Sequence, residues 1–189
     1  MKRSILMILF IGSLANYAVG GYGETYGTTK FTDRTGVVKT GQTTVYNAGD
    51  DGTYQTGLAF DYTDNGDGTV TDNNTSLMWI QDGTGSGCNN GSTATWSEAI
   101  DFCEALDYAG HTDWRLPNAK ELHSIVVYEG TVPFINKTYF TNTANSCYWT
   151  STTHVPATTY ALVVNFSSGY VSYGDKTNAY YIRPVRGGN

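Results

Sequence analysis

The stretch from Thr95 to Val127 constrains this chain more than any other, because it reads as two capped helices joined by a short, tryptophan-bearing turn. Trp96, Ala99, Ile100, Cys103 and Leu106 recur at the spacing of one helical face. Thr95 and Glu98 form a T-x-x-E capping box, in which the hydroxyl accepts an orphan backbone N–H and the glutamate reaches back to the cap. Gly110 is placed to end this helix as a C-cap glycine. The second helix starts at Asn118, with Pro117 before it, Glu121 three residues on, and Leu122, Ile125 and Val126 as its apolar stripe; Gly130 and Pro133 stop it. In the turn between them Trp114 reads as a core plug. Arg115 has two readings: a partner for backbone carbonyls or Asp113, or a clamp for a ligand.

Upstream, Lys2 and Arg3 precede an apolar run from Ile5 to Ile11 and a small-x-small Ala18-Val19-Gly20, the pattern of a secretory signal peptide over residues 1–20. The run is too short to span a membrane, and nothing later is apolar enough to anchor in one. The formal charge of -6, which cleavage after Gly20 makes more negative, argues against nucleic acid and against a simple electrostatic grip on anionic surfaces. Residues 21–57 are rich in Gly and Thr and read as a leader or linker with one or two short strands that add to the edge of a domain at 58–189.

From Leu58 the chain forms a hairpin, with alternating apolar and polar residues on either side of Asn65-Gly66-Asp67-Gly68. Asp61, Asp64, Asp67 and Asp72 suggest a calcium site as the alternative to a plain turn, although the EF-hand spacing retains only the glycine and one acidic ligand. Three cysteines in an oxidising compartment imply one disulfide and one free thiol. Cys88–Cys103 is the favoured pairing and Cys103–Cys147 the alternative; the spacing fits no zinc motif. The last third holds alternating strands, among them residues 160–166 and 170–173. Strands, two helices, a long loop and a terminal antiparallel sheet together make an α+β domain.

Four motifs in this order, DNGDGTVTDNNTSLMW at 64–79, HTDWRLPNAKEL at 111–122, YWTSTT at 148–153 and YYIRPVRGG at 180–188, resemble one family. It is the domain at the C-terminus of the Legionella collagen-like adhesin, found in many secreted bacterial proteins. Ser76 departs from it, where the family often shows glycine. The resemblance implies a C-type-lectin-like fold, related to formylglycine-generating enzymes, with its N- and C-terminal strands close together and a sheet whose outer face and loops bind ligands. It further implies that Trp114, Arg115, Arg183 and Arg186 are architectural and hold the two ends of the domain together.

The function expected is therefore a non-catalytic binding module, secreted to the periplasm, the cell surface or beyond, that recognises a glycan or a surface protein. Aromatic faces stack on sugar C–H surfaces while amides and hydroxyls bond sugar hydroxyls. Trp149, Tyr160, Tyr170, Tyr173 and Asn178 are the candidate ligand-binding residues. No cofactor or metal is called for apart from the calcium alternative, since His111, His123 and His154 are scattered without metal-binding spacing. A structural or self-assembling envelope component, oligomeric through the Gly/Thr leader, is the competing reading.

Overall fold

The computed structural model describes residues 36–187 and, before them, only the backbone of a strand pair, β1 (Thr25–Tyr26) and β2 (Thr29–Lys30). The signal-peptide segment 1–20 and the start of the leader lie outside the described residues. From Gly36 the elements run α1 (Asp51–Tyr54), β3 (Tyr62–Asp64), β4 (Thr69–Asp72), β5 (Leu77–Ile80) and a 3-10 segment (Ser86–Gly91). They continue with α2 (Trp96–Glu104), α3 (Ala119–His123), β6 (Cys147–Thr153), β7 (Tyr160–Asn165), β8 (Tyr170–Asp175) and β9 (Val185–Gly187). The fold is α+β, with two antiparallel sheets in the orders β3-β4-β5-β9 and β6-β7-β8. No helix among the described residues is long and apolar enough to cross a membrane.

The first sheet grows from its turn. Gly66 and Gly68 take φ of +77° and +88°, and the Asp64 and Asp67 carboxylates accept the backbone N–H of Gly66 and Thr69. Strand β9 then pairs with β5, Leu77 facing Gly187 and Trp79 facing Val185, so the end of the chain closes the sheet its first hairpin began.

Both capping boxes form. Glu98 accepts from the backbone and hydroxyl of Thr95, and Asn118 accepts from the N–H groups of Lys120 and Glu121 while Glu121 accepts from Asn118. Both helices are shorter than their apolar patterns. Helix α2 stops at Glu104, and Ala109 and Gly110, with φ of +54° and +74°, instead make the turn that pairs Tyr108 with His111. Tyr108 packs edge-on against Trp114, a contact a continued helix would not permit. Helix α3 ends at His123, where the Ser124 hydroxyl takes the Glu121 carbonyl. The segment between the helices is not a tight turn. Pro117 holds the residue before it extended, and Arg115 exchanges two backbone bonds of 2.9 and 3.0 Å with Val185, adding a bridge beside β9.

Residues from Gly36 onward fall in one compact unit. The Tyr128 N–H donates to the Thr40 carbonyl, and the Glu129 carboxylate accepts the N–H groups of Thr43 and Thr44 at 2.7 and 3.1 Å. Three buried clusters fill the unit. One joins Trp79, Leu122, Phe140, Tyr148 and Phe166; a second joins Ala99, Cys103, Leu116, Trp149 and Ile182; the third sets Trp114 against Ile80 and Cys88.

Candidate functional site

Strand β8 is the outer strand of its sheet, and its first four residues are all exposed. On the opposite side of the sheet β6 is covered: Trp149 N–H donates to Tyr181, and Ser151 N–H to Pro117. Among the described residues, Tyr170 to Gly174 make no backbone hydrogen bond outside the β7 ladder.

Because β8 pairs with β7 in unbroken register, Tyr170 and Tyr173, three residues apart, project to opposite faces of the sheet. Tyr173 joins an aromatic group with His154 and Tyr160. The residue is 57% exposed, and its ring stacks on His154 at 4.5 Å with 16° between planes and meets the edge of Tyr160 at 5.7 Å. Rings held by rings on two extended strands lose little freedom when a ligand arrives, which is the economy of an aromatic binding face.

Tyr170, 68% exposed, stands on the other side, near Tyr128. There the Tyr128 hydroxyl donates to the Gly169 carbonyl at 2.6 Å, with the His123 Nε2 2.8 Å from the hydroxyl. Gly169, at φ +76°, lets the Tyr128 ring close over the turn; a side chain there would meet it. The five candidates are thus divided. Tyr160 and Tyr173 share one group, Tyr170 belongs to another, and exposed Asn178 lies in the turn after β8 with its amide 3.4 Å from the Tyr180 hydroxyl.

Trp149 does not belong to an exposed site. It is fully buried under Tyr180, with ring centroids 4.7 Å apart, and its indole N–H donates to the Ala94 carbonyl at 2.8 Å. The reason is register: Trp149 lies opposite Val163, on the face that α2 covers. His154 and Tyr128 were not expected in either group. His154 follows β6 directly and Tyr128 follows α3, and only the approach of β8 from elsewhere in the chain brings them in.

The four residues that the resemblance marks as architectural lie beside the other sheet. The buried Arg183 guanidinium donates to the Ile80 carbonyl at 2.6 Å and to the Thr143 hydroxyl at 2.7 Å, with the rings of Phe140 and Tyr148 beside it. Arg186 pairs with Asp113 at 2.6 Å, and Arg115 forms two 2.8 Å bonds to Glu121 and one to the Gly187 carbonyl. Trp114 is buried, its indole N–H on the Tyr108 carbonyl. Arg115 thus bonds a backbone carbonyl, that of Gly187, and its carboxylate partner is Glu121 and not Asp113. Burial raises the Glu121 carboxyl, but the Arg115 hydrogen bonds and the Asn118 N–H outweigh it and leave the group below the usual carboxylate range.

The model of the Lcl C-terminal domain family matches residues 68–186, more than half of the 189-residue chain. The chain belongs to the Lcl C-terminal domain family. No curated protein matches it.

The matched span of this Lcl C-terminal domain takes in both capping boxes, the four architectural side chains and the whole β6–β8 sheet. Ser76 lies within it at φ +60°, a left-handed conformation that explains why glycine suits the position. The acidic residues of this region accept local hydrogen bonds: Asp64 and Asp67 in the hairpin turn, Asp61 from Asn73, and Asp72 from Asn74 and Thr75 in the following turn. Among the described residues no group of three or more His, Cys, Asp or Glu is placed to hold a metal ion. All three cysteines are free thiols in this structure, so the expected Cys88–Cys103 bridge is not formed. Both are buried, in separate but neighbouring clusters, and burial pushes the Cys88 thiol up to about 11 and Cys103 higher still.

Proposed function

We propose that this Lcl C-terminal domain is a secreted, non-catalytic binding module of C-type-lectin-like fold, adhesin-like in role, that takes a carbohydrate on the Tyr173 face. One observation carries the reading: Tyr173 is more than half exposed yet fixed on two sides by His154 and Tyr160. A ring so placed offers a flat apolar surface for sugar C–H groups, with the Tyr160 hydroxyl and the His154 imidazole at its margin. The apolar segment behind Lys2 and Arg3 supports export.

A glycan array probed with the purified protein tests this, using Tyr173→Ala and Tyr170→Ala side by side. Saturable binding to a defined glycan that Tyr173→Ala abolishes and Tyr170→Ala leaves intact is the expected result. Loss in Tyr170→Ala alone would move the site to the Tyr128 face. A blank array would leave a surface protein as the ligand class to test on the same strand.

The open edge of β8 favours a second reading, self-assembly into an envelope or fibre component. Proteins that associate through such an edge elute as large species on sizing, and a charged substitution, Val171→Lys, would return them to monomers.

A further inference from the structure

Taking the Tyr173 face as a glycan site, we infer that it selects an uncharged sugar, whose hydroxyls donate to the Asp175 carboxylate and one of whose oxygens accepts from the His154 Nε2–H.

Register brings Asp175 to the aromatic group. Tyr160 lies opposite Asp175 and Leu162 opposite Tyr173, so the four side chains share one face of the sheet. Asp175 stands two residues, about 7 Å, along the strand from Tyr173. Its Oδ1 accepts the Thr177 N–H at 2.9 Å and the Thr177 hydroxyl at 2.7 Å. These bonds aim the carboxylate and, the N–H first, hold it below the usual carboxylate range. The Oδ2 has no hydrogen bond or ion pair among the described residues and is open to solvent. The cation next in sequence is committed elsewhere: Lys176 Nζ lies 3.8 Å from the centre of the Trp96 ring and donates to the Thr153 hydroxyl at 3.0 Å. An oriented acceptor is therefore free beside the Tyr173 ring, with its charge uncompensated.

His154 supplies the opposite polarity. Its ring lies against Tyr173, and its Nδ1 is buried with no hydrogen-bond partner. Its Nε2 also lacks a partner among the described residues, but is not buried. A buried N–H without an acceptor is the costlier arrangement, so the ring carries its proton on Nε2 and presents a donor at the margin of the aromatic group.

A neutral pyranose matches this set. Its C–H face covers Tyr173, its hydroxyls give the carboxylate charge-assisted bonds, and a ring or hydroxyl oxygen accepts from His154. A uronate or sulfated sugar would set an anion against an ionised carboxylate on a chain of formal charge -6, and like charges oppose it.

The test is a glycan array carrying each backbone in neutral and in uronate or sulfated form, probed with the purified full chain and with Asp175→Asn, His154→Phe and Tyr173→Ala. Binding confined to neutral members and lost in Tyr173→Ala is expected. Asp175→Asn keeps the Oδ1 acceptor for Thr177 and should weaken that binding about tenfold while admitting the uronate forms. His154→Phe keeps the stack on Tyr173 and should weaken it about threefold. A preference of the parent for anionic members, or unchanged affinity in Asp175→Asn, would overturn the inference and leave the glycan site standing; a blank array would overturn both. Long-range proton–nitrogen NMR correlation reads the His154 tautomer with no ligand present, and a proton on Nδ1 would overturn the role given to His154.

Discussion

Strands β5 and β8 are both rich in large apolar and aromatic residues, LMWI in one and YVSY at the start of the other, yet they meet opposite environments. Strand β5 lies between β4 and β9, with Trp79 and Ile80 wholly buried and Arg183 bonded to its last carbonyl. Strand β8 has β7 on one side and solvent on the other. Side-chain chemistry alone does not separate the interior of this domain from its exposed strand; the number of neighbouring strands does. The polar residues follow the same division. The arginines beside the first sheet are committed to carbonyls and carboxylates inside the domain, whereas Tyr170 and Tyr173 of β8 are more than half exposed.

The strongest way to break this comparison is Arg183→Ala. It leaves the Ile80 carbonyl and the Thr143 hydroxyl without their donor and opens a void beside Phe140 and Tyr148. A loss of about 3 kcal/mol or more is expected, read as a lower urea midpoint at unchanged slope; a loss under about 1 kcal/mol would remove Arg183 from the architecture. Next in size is Asn118→Ala, which deletes the acceptor for two N–H groups of α3 and should cost about 1 kcal/mol.

Acid should act at the same cap and at the Glu129 clamp. The N–H groups of Thr43 and then Thr44 hold Glu129 down to about 2 from an ordinary 4.5, and Glu121 is lowered as well. With the folded values depressed, the unfolded chain takes up protons first, so this stability is complete above about 4.5 and is lost as pH falls toward 2. Thermal melts across that window should show a steeper decline for the parent than for Glu129→Gln. Parallel declines would show that the clamp does not contribute.

Two smaller changes sharpen the contrast. Ser76→Gly relieves a left-handed serine at φ +60° and should stabilise the domain by about 0.5–1 kcal/mol, seen as a raised melting temperature. Tyr173→Ala, at the exposed strand, should leave stability within about 0.5 kcal/mol while removing glycan binding. A large stability loss there would make Tyr173 part of the packing rather than of a site.

Much of the frame was legible. The two capping boxes, the Asn65–Gly68 hairpin and the buried Trp114 follow from residue types at short, fixed spacings, and the family from four motifs along the chain. The site was less so. Trp149 and Tyr173 lie in the same stretch of alternating strands and look alike as candidates, but one faces α2 and the other faces solvent. Tyr170 and Tyr173 are three residues apart in the sequence, and strand geometry sends them to opposite faces. The helix ends also escaped, since Gly110 is a good C-cap in isolation and is taken by the Tyr108–His111 turn only because Tyr108 packs on Trp114.

By itself the sequence determined the caps, the hairpin turn and the family, because each depends on interactions among residues within a few positions of one another or on motifs read along the chain. Tertiary structure alone decided which aromatics reach solvent and that the segment around Thr40 to Thr44 is bonded to Tyr128 and Glu129. These depend on which strand or helix arrives from far along the chain to cover a face, and no local spacing encodes that arrival.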